Sequence, residues 1–382
     1  MSKLIGEGGF GCVYYPQLTC DGKITQNKKN VSKIQILDKY VQRELDIGKI
    51  ITKLQFFLLH FAPIIKSCRI NISSFDKNSL LKDCEIVSNN LNEKFILSTI
   101  PYIKGKEFRD YITELQENNL YIFILFNSYY YILNSLQILQ EIGICHYDIK
   151  FENIIYNIDS KIPIIIDFGL SFLFKDVDDY KSIYHLKHFF YVYAPHYYIW
   201  CPEIQIISYI VNKNTENKDI ILTDELLKKI LIEIVENMGI WKFFTNDFKD
   251  NYLKNLYIFY SQFINKGNNT IIKELLKYKK TWDTYSISIS FLKECIEKFK
   301  TNNNFEKGKP ILLIFIQLLL YSLSPNPNKR PTISKLKEIL YTTFNKQFPK
   351  SLSSKFLDFS LTDNEHKYII NEVVPYLYLF KN

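Results

Sequence analysis

Between His146 and Gly169 the chain sets four residues able to hold a cation or move a proton, Asp148, Lys150, Asn153 and Asp167, around two short β-branched runs. The runs, Ile154 to Tyr156 and Ile162 to Ile166, are separated by the turn-forming stretch Asn157 to Lys161 and read as a β-hairpin. A hairpin returns the chain to its starting end, so Asn153 at the entry and Asp167 at the exit come together. Upstream, Leu120 to Ile142 is a long apolar and aromatic stretch stopped by Gly143, the signature of a buried helix with a glycine terminator. Any fold for this chain has to deliver a core helix, a polar loop and a hairpin in that order.

The residue types define a narrow chemistry. Asn153 and Asp167 offer the hard oxygen donors that Mg²⁺ prefers. Asp148 and Lys150, two positions apart, can aim a carboxylate and an ammonium at one reaction centre, as transfer of a γ-phosphoryl group demands. The start of the chain supplies a phosphate cradle in Ile5-Gly6-Glu7-Gly8-Gly9-Phe10-Gly11-Cys12-Val13, where Gly6, Gly8 and Gly11 let the backbone turn and lie close to a ligand. Similar glycine spacing serves dinucleotides, but that use needs a strand before the loop and a helix after it. Too few residues precede Gly6, and Cys12-Val13-Tyr14-Tyr15-Pro16 is β-like and stopped by proline, so the dinucleotide reading is set aside.

In this order the motifs resemble the eukaryotic-type protein kinases, serine/threonine group, over roughly residues 4 to 345. Ile5, Gly6, Gly8, Gly11 and Val13 fall on the family's glycine-rich loop. Val31-Ser32-Lys33-Ile34 resembles the strand with the phosphate-binding lysine, and Glu44, in the helical run Tyr40 to Leu54, is its implied ion-pair partner. Ile100-Pro101-Tyr102-Ile103-Lys104-Gly105 resembles the hinge, where the Pro101 carbonyl accepts from an adenine amino group and the Ile103 N–H donates to the ring. The resemblance implies that Asp148 orients the acceptor hydroxyl, Lys150 neutralises the transferring oxygens, and Asn153 and Asp167 hold Mg²⁺. Cys201-Pro202-Glu203 stands where Ala-Pro-Glu is expected, Trp282-Asp283-Thr284-Tyr285-Ser286 resembles the family's Asp-x-Trp-Ser helix start, and Asn328-Lys329-Arg330-Pro331-Thr332 its Arg-Pro-Thr segment. The resemblance makes Glu203 and Arg330 a buried pair. Tyr147 replaces the arginine that precedes the catalytic aspartate, and with it goes the cation that gathers a phosphorylated activation loop.

The resemblance implies an α+β, two-lobed kinase-like fold with a small β-rich lobe at 1–100, a hinge at 101–105, and a larger helical lobe at 106–345 that carries an insertion at about 204–282. A tail follows at 346–382. The expected cofactors are ATP, in the cleft, and Mg²⁺, and the expected partner is a protein with a serine or threonine hydroxyl, since lysine two places after the aspartate marks that group. The alternatives are a pseudokinase scaffold, which would have lost Lys33, Asp148, Asn153 or Asp167, and a small-molecule phosphotransferase of related fold, which would lack the Asp283 and Arg330 motifs. The isoleucine- and asparagine-rich composition, the compact start and the Cys-Pro-Glu variant further resemble the kinases of large DNA viruses.

Composition fits this without adding to it. A chain of 382 residues, 47% apolar and 23% charged, is long and apolar enough for two cores. The apolar runs Leu120 to Leu133 and Ile311 to Leu323 are too short to span a membrane. A formal charge of +8 arises from 48 cations dispersed among 40 carboxylates, so nucleic-acid binding is not indicated. Seven cysteines without a Cys-x-x-Cys pair, and no signal-peptide pattern, predict free thiols and an intracellular, cytoplasmic protein, or one in host cytoplasm or a virion if viral. About eighty positions separate Glu203 from Asp283 where the family needs few, and Asp224 to Asn237 and Asp250 to Asn265 read as polar helices of an insertion. Asp283 to Lys300 carries Ile287, Phe291, Cys295 and Phe299 at buried-helix spacing. Oligomeric state has no signature in the sequence.

Overall fold

The computed structural model describes residues 2–8, 11–72, 81–115, 118–213, 220–241, 244–301 and 310–342; the 346–382 tail and the side chain of Phe299 lie outside them. The fold is α+β. The described residues form two compact units: one from the start to Phe108 together with Glu152–Phe172, the other Arg109–Phe151 together with the residues from Leu173 on.

The first unit is built on sheets. Strands β1 (Lys3–Gly8), β2 (Gly11–Tyr15), β3 (Asn30–Ile36), β5 (Lys66–Ile70) and β6 (Phe95–Pro101) form a five-stranded sheet in the order β1-β2-β3-β6-β5. Residues Val31 to Gln35 of β3 are all buried, the polar ones included. The core on one side gathers Cys12, Tyr14, Leu18, Ile34, Leu81, Phe95 and Leu97. A second sheet of four strands runs β4 (Phe61–Ala62), β9 (Ile162–Ile166), β8 (Ile154–Asn157) and β7 (Gly105–Glu107). The predicted hairpin β8–β9 belongs to this unit, despite its place late in the chain, because its strands pair with β4 and β7.

Helix α1 (Lys39–Ile51) starts where Asp38 accepts the Tyr40 and Val41 N–H groups at 2.9 and 2.8 Å. It buries Val41, Glu44, Ile47, Gly48 and Ile51, spaced as one helical face. It stops before the predicted Leu54, whose N–H bonds back to Ile51 in a tighter turn. The short α2 (Glu85–Asn89) follows Cys84.

Two disulfides, Cys12–Cys84 and Cys20–Cys68, lie in this unit and overturn the expectation of free thiols throughout. The partners are 72 and 48 positions apart in sequence, and only folding brings them together, which is why spacing gave no sign of them. Cys145, Cys201 and Cys295 remain thiols and are buried.

The second unit is helical. Helix α3 (Asn118–Glu141) ends just before Gly143, whose φ of 77° is the left-handed geometry glycine accepts freely. Helix α8 (Trp282–Thr301) is buried on every side from Trp282 to Leu292. Its serines do not break it, because Ser286, Ser288 and Ser290 donate to the carbonyls four residues back, at 3.0, 2.6 and 3.0 Å. Between Glu203 and Asp283 stand α4 (Pro202–Lys213), α5 (Asp224–Asn237), α6 (Asn246–Tyr260) and α7 (Asn268–Leu276). They are less polar than their composition suggests: α5 buries Leu227, Ile230, Leu231, Ile234 and Val235, and α4 is buried over most of its length. Helices α9 (Pro310–Ser322) and α10 (Ile333–Tyr341) complete the unit, α10 capped by the Thr332 hydroxyl. No helix among the described residues is long and apolar enough to cross a membrane.

Candidate active site

In the sheet unit the predicted residues converge on Lys33. Its ammonium lies 3.4 Å from Glu44 Oε1 and 3.4 Å from Asp167 Oδ1, with only 8% of the side chain exposed. Burial works against the charge, but Glu44 and Asp167 together hold its pKa above the ordinary lysine value. The eleven-position gap from Lys33 to Glu44 closes because β3 runs directly into α1, whose buried face carries Glu44. Gln35, which sequence reasoning missed, fixes the other carboxylate oxygen: its amide donates to Glu44 Oε2 at 3.0 Å and accepts from Ser98 Oγ at 3.3 Å. Strand alternation was the available signal, since Gln35 points to the same face as Lys33. Ser32 is fully buried and its hydroxyl accepts from the Leu18 N–H at 2.8 Å, a bond an alanine there could not make.

Pairing of Ile154 with Ile165 puts Asn153 and Asp167 at the same end of the β8–β9 hairpin. Asn153 is buried, whereas 32% of the Asp167 side chain is exposed. Asp167 takes a φ of 58°, which turns it out of the strand direction, and the Gly169 N–H donates to its Oδ1 at 3.3 Å. Aspartate tolerates this left-handed geometry better than most residues. An amide oxygen and a partly exposed carboxylate at one hairpin end fit a hard divalent cation.

The glycine segment forms an antiparallel hairpin, with Gly6 opposite Val13 and Gly8 opposite Gly11. Gly6 and Gly8 are themselves part of β1 and Gly11 opens β2, so a second strand follows instead of a helix and the dinucleotide alternative fails on geometry. Of Gly6, Gly8 and Gly11, Gly11 is the one the fold requires as glycine: its φ is 139°, and a Cβ there would run into the Ile34 carbonyl. A Cβ on Gly8 would meet nothing within 4 Å. Ile5 is 53% exposed on β1, and Val13 pairs with Lys33. Pro101 ends β6 opposite Asn30, and Ile103 packs with Ala62 and Ile164.

In the helical unit Asp148 and Lys150 come together. Lys150 Nζ lies 3.2 Å from both Asp148 oxygens and 2.7 Å from the Tyr197 hydroxyl, which itself donates to Asp148 Oδ1. Tyr197 was not foreseen; one tyrosine among several in its segment carries no distinguishing sequence signal. The loop before Asp148 is held from below by Asp283, which accepts the His146 and Tyr147 N–H groups, both at 2.8 Å. Burial raises the Asp283 pKa despite those bonds. Tyr147 takes a φ of 68°, costly for an aromatic residue, and is over-determined by Asp283 on its N–H and by the Trp200 indole N–H on its carbonyl at 3.0 Å. Its ring is buried against Trp200 and Phe190.

Glu203 and Arg330 also meet, in two parallel bonds of 2.9 and 3.0 Å, and Tyr260 donates its hydroxyl to the same carboxylate. Burial alone would raise the Glu203 pKa, but the Arg330 guanidinium holds it below the ordinary carboxylate value.

A model of the protein kinase domain matches residues 1–195. Protein kinase MCK1 of Saccharomyces cerevisiae is 27% identical over 172 residues, 44% of this chain and 39% of its own length. Cell cycle serine/threonine-protein kinase hsk1 of Schizosaccharomyces pombe is 21% identical over 171 residues, 44% of this chain and 33% of its own length. The chain therefore spans well under half the length of these relatives. The family match runs unbroken from before the glycine hairpin to beyond Asp167, over more than half of the 382 residues, and the chain belongs to the protein kinase domain family.

Proposed function

We propose that this chain is an ATP-dependent serine/threonine protein kinase that transfers the γ-phosphoryl group to protein hydroxyls. The observation that carries the reading is the buried Lys33 ammonium held between Glu44 and Asp167, a cation fixed in place yet bonded to one carboxylate that remains a third exposed. Such a cation is suited to phosphate oxygens, because the protein has already oriented it.

The other residues take complementary roles. The β1–β2 hairpin covers the phosphates, and the open space at Gly8 leaves room for close backbone approach. The Pro101 carbonyl and the Ile103 N–H read the adenine edge. Asn153 and Asp167 would hold Mg²⁺, which when bound neutralises charge on the phosphate oxygens. Asp148 orients the acceptor hydroxyl and takes its proton, while Lys150, 3.2 Å from that carboxylate, faces the transferring oxygens. Lys150 at this position, and the serine/threonine activity stated in the name of the fission-yeast relative, support a hydroxyl acceptor of that class. The Cys201-Pro202-Glu203 variant supports, within that class, a likeness to kinases of large DNA viruses.

The deciding experiment is transfer of labelled γ-phosphate from Mg-ATP to dephosphorylated casein, with Asp148→Asn alongside. Label on serine or threonine, lost by at least about 100-fold in the variant while ATP binding persists, is the expected result. Equal labelling by both proteins would remove Asp148 from the chemistry.

A further inference from the structure

The Tyr197 phenol stands where an acceptor hydroxyl has to go. Orienting an acceptor means donating its O–H to Asp148 with its oxygen facing Lys150. Tyr197 already makes both contacts: it donates to Asp148 Oδ1 and accepts from Lys150 Nζ at 2.7 Å. The ammonium also lies 5.1 Å from the centroid of the Tyr197 ring, so ring and hydroxyl face the same cation. Only 9% of the Asp148 side chain and 24% of the Lys150 side chain are exposed with the phenol in place.

The tyrosine is held without being locked. Its ring stands edge-on to Trp200 at 4.9 Å, while the residue itself is neither fully buried nor in a regular helix or strand. The neighbouring backbone is anchored independently, with the Gln205 amide donating to the Ala194 carbonyl at 2.7 Å. The segment that carries Tyr197 therefore has an anchor that does not involve the phenol.

We propose that Tyr197 is an internal competitor for the acceptor position, a phenol that a substrate serine or threonine hydroxyl displaces from Asp148 and Lys150. The proposal rests on the protein kinase reading for its chemistry. It differs from a purely supporting role in one respect: removal of the phenol oxygen should ease acceptor binding instead of impairing turnover.

The test is Tyr197→Phe, which keeps the ring against Trp200 and removes one oxygen. Two quantities are measured: the kcat and acceptor KM for dephosphorylated casein, and, with MgADP present, the binding of a fluorescent degenerate peptide pool with a central serine against its central-alanine counterpart. The expected result is a casein KM lowered by about three- to tenfold with kcat kept or raised, and tighter binding of the serine pool alone by a similar factor. A fall in kcat at unchanged KM would make Tyr197 a positioning residue and overturn the proposal, as would equal effects on the two pools. If neither protein labels casein but the serine pool still tightens, the competitor stands and the kinase reading fails. If casein is labelled and Tyr197→Phe changes neither KM nor serine-pool binding, the reverse holds.

Discussion

Among the described residues each unit holds a buried cation against carboxylate, Lys33 in one and Arg330 in the other, and the two arrangements differ in what they leave undone. In the helical unit Arg330 and Glu203 are 1% and 0% exposed and meet in two bonds at 2.9 and 3.0 Å. Tyr260 donates to the carboxylate, the Ser324 carbonyl accepts from Arg330 Nε at 3.1 Å, and the Tyr285 ring lies 5.0 Å from the guanidinium. Nothing remains for a ligand to complete. In the sheet unit Lys33 stands 3.4 Å from each of two carboxylates, long for a charged hydrogen bond, and one of the two is 32% exposed. A saturated pair ties helices together, whereas an unsaturated one is positioned for a further group.

That contrast breaks most visibly at Arg330. Arg330→Ala leaves Glu203 buried with its main partner gone, and should lower stability by about 3–5 kcal/mol in urea denaturation. Such a loss can take the protein close to its whole stability margin. An effect under about 1 kcal/mol would mean that the pair is far better hydrated than its geometry indicates. Lys33→Met should show the opposite profile. Turnover is expected to fall about 100-fold or more, while stability drops by only about 1–2 kcal/mol, because Gln35 still donates to Glu44 and Asp167 can turn to water. A Lys33→Met protein as unstable as Arg330→Ala, or one that keeps its turnover, would erase the distinction between the two pairs.

The candidate site residues that the structure brings together are legible because they lie in short sequence runs attached to single elements. The hairpin that joins Asn153 to Asp167 has two short, continuous β-branched runs and a polar turn, and α3 has an apolar run ended by Gly143, so both could be read locally. The supporting partners could not. Gln35 and Ser98 meet across a β3–β6 register and Tyr197 reaches Asp148 across 49 positions, while the Asp283 motif is legible but its bond to His146, 137 positions away, is not. Their side-chain types are ordinary, and only tertiary pairing gives them a role. The helices between Glu203 and Asp283 have a polar composition because their exposed faces carry many charges, yet each contributes an apolar stripe, as Leu227, Ile230, Leu231 and Ile234 do in α5.

The cysteines sharpen the comparison of the units at a smaller scale. Both disulfides belong to the sheet unit, and the three thiols of the helical unit are buried, each with its pKa pushed up by burial. Reducing agent should therefore act on one unit alone. Cys12 and Cys84 are both fully buried, whereas Cys20 is exposed, so the Cys20–Cys68 bond should open first. Cross-linking residues 48 positions apart restricts the unfolded chain, and loss of that restriction costs about 2–4 kcal/mol. Cys20→Ser, with the rest of the protein oxidised, should fall near the low end of that range, because Cys20 packs little apolar surface of its own. The check is thermal unfolding with and without a phosphine reductant, together with mass mapping of the bonded cysteines. A melting temperature indifferent to reductant, with Cys20 and Cys68 recovered as free thiols from the untreated protein, would place both units on the same thiol footing and leave the contrast to rest on the ion pairs.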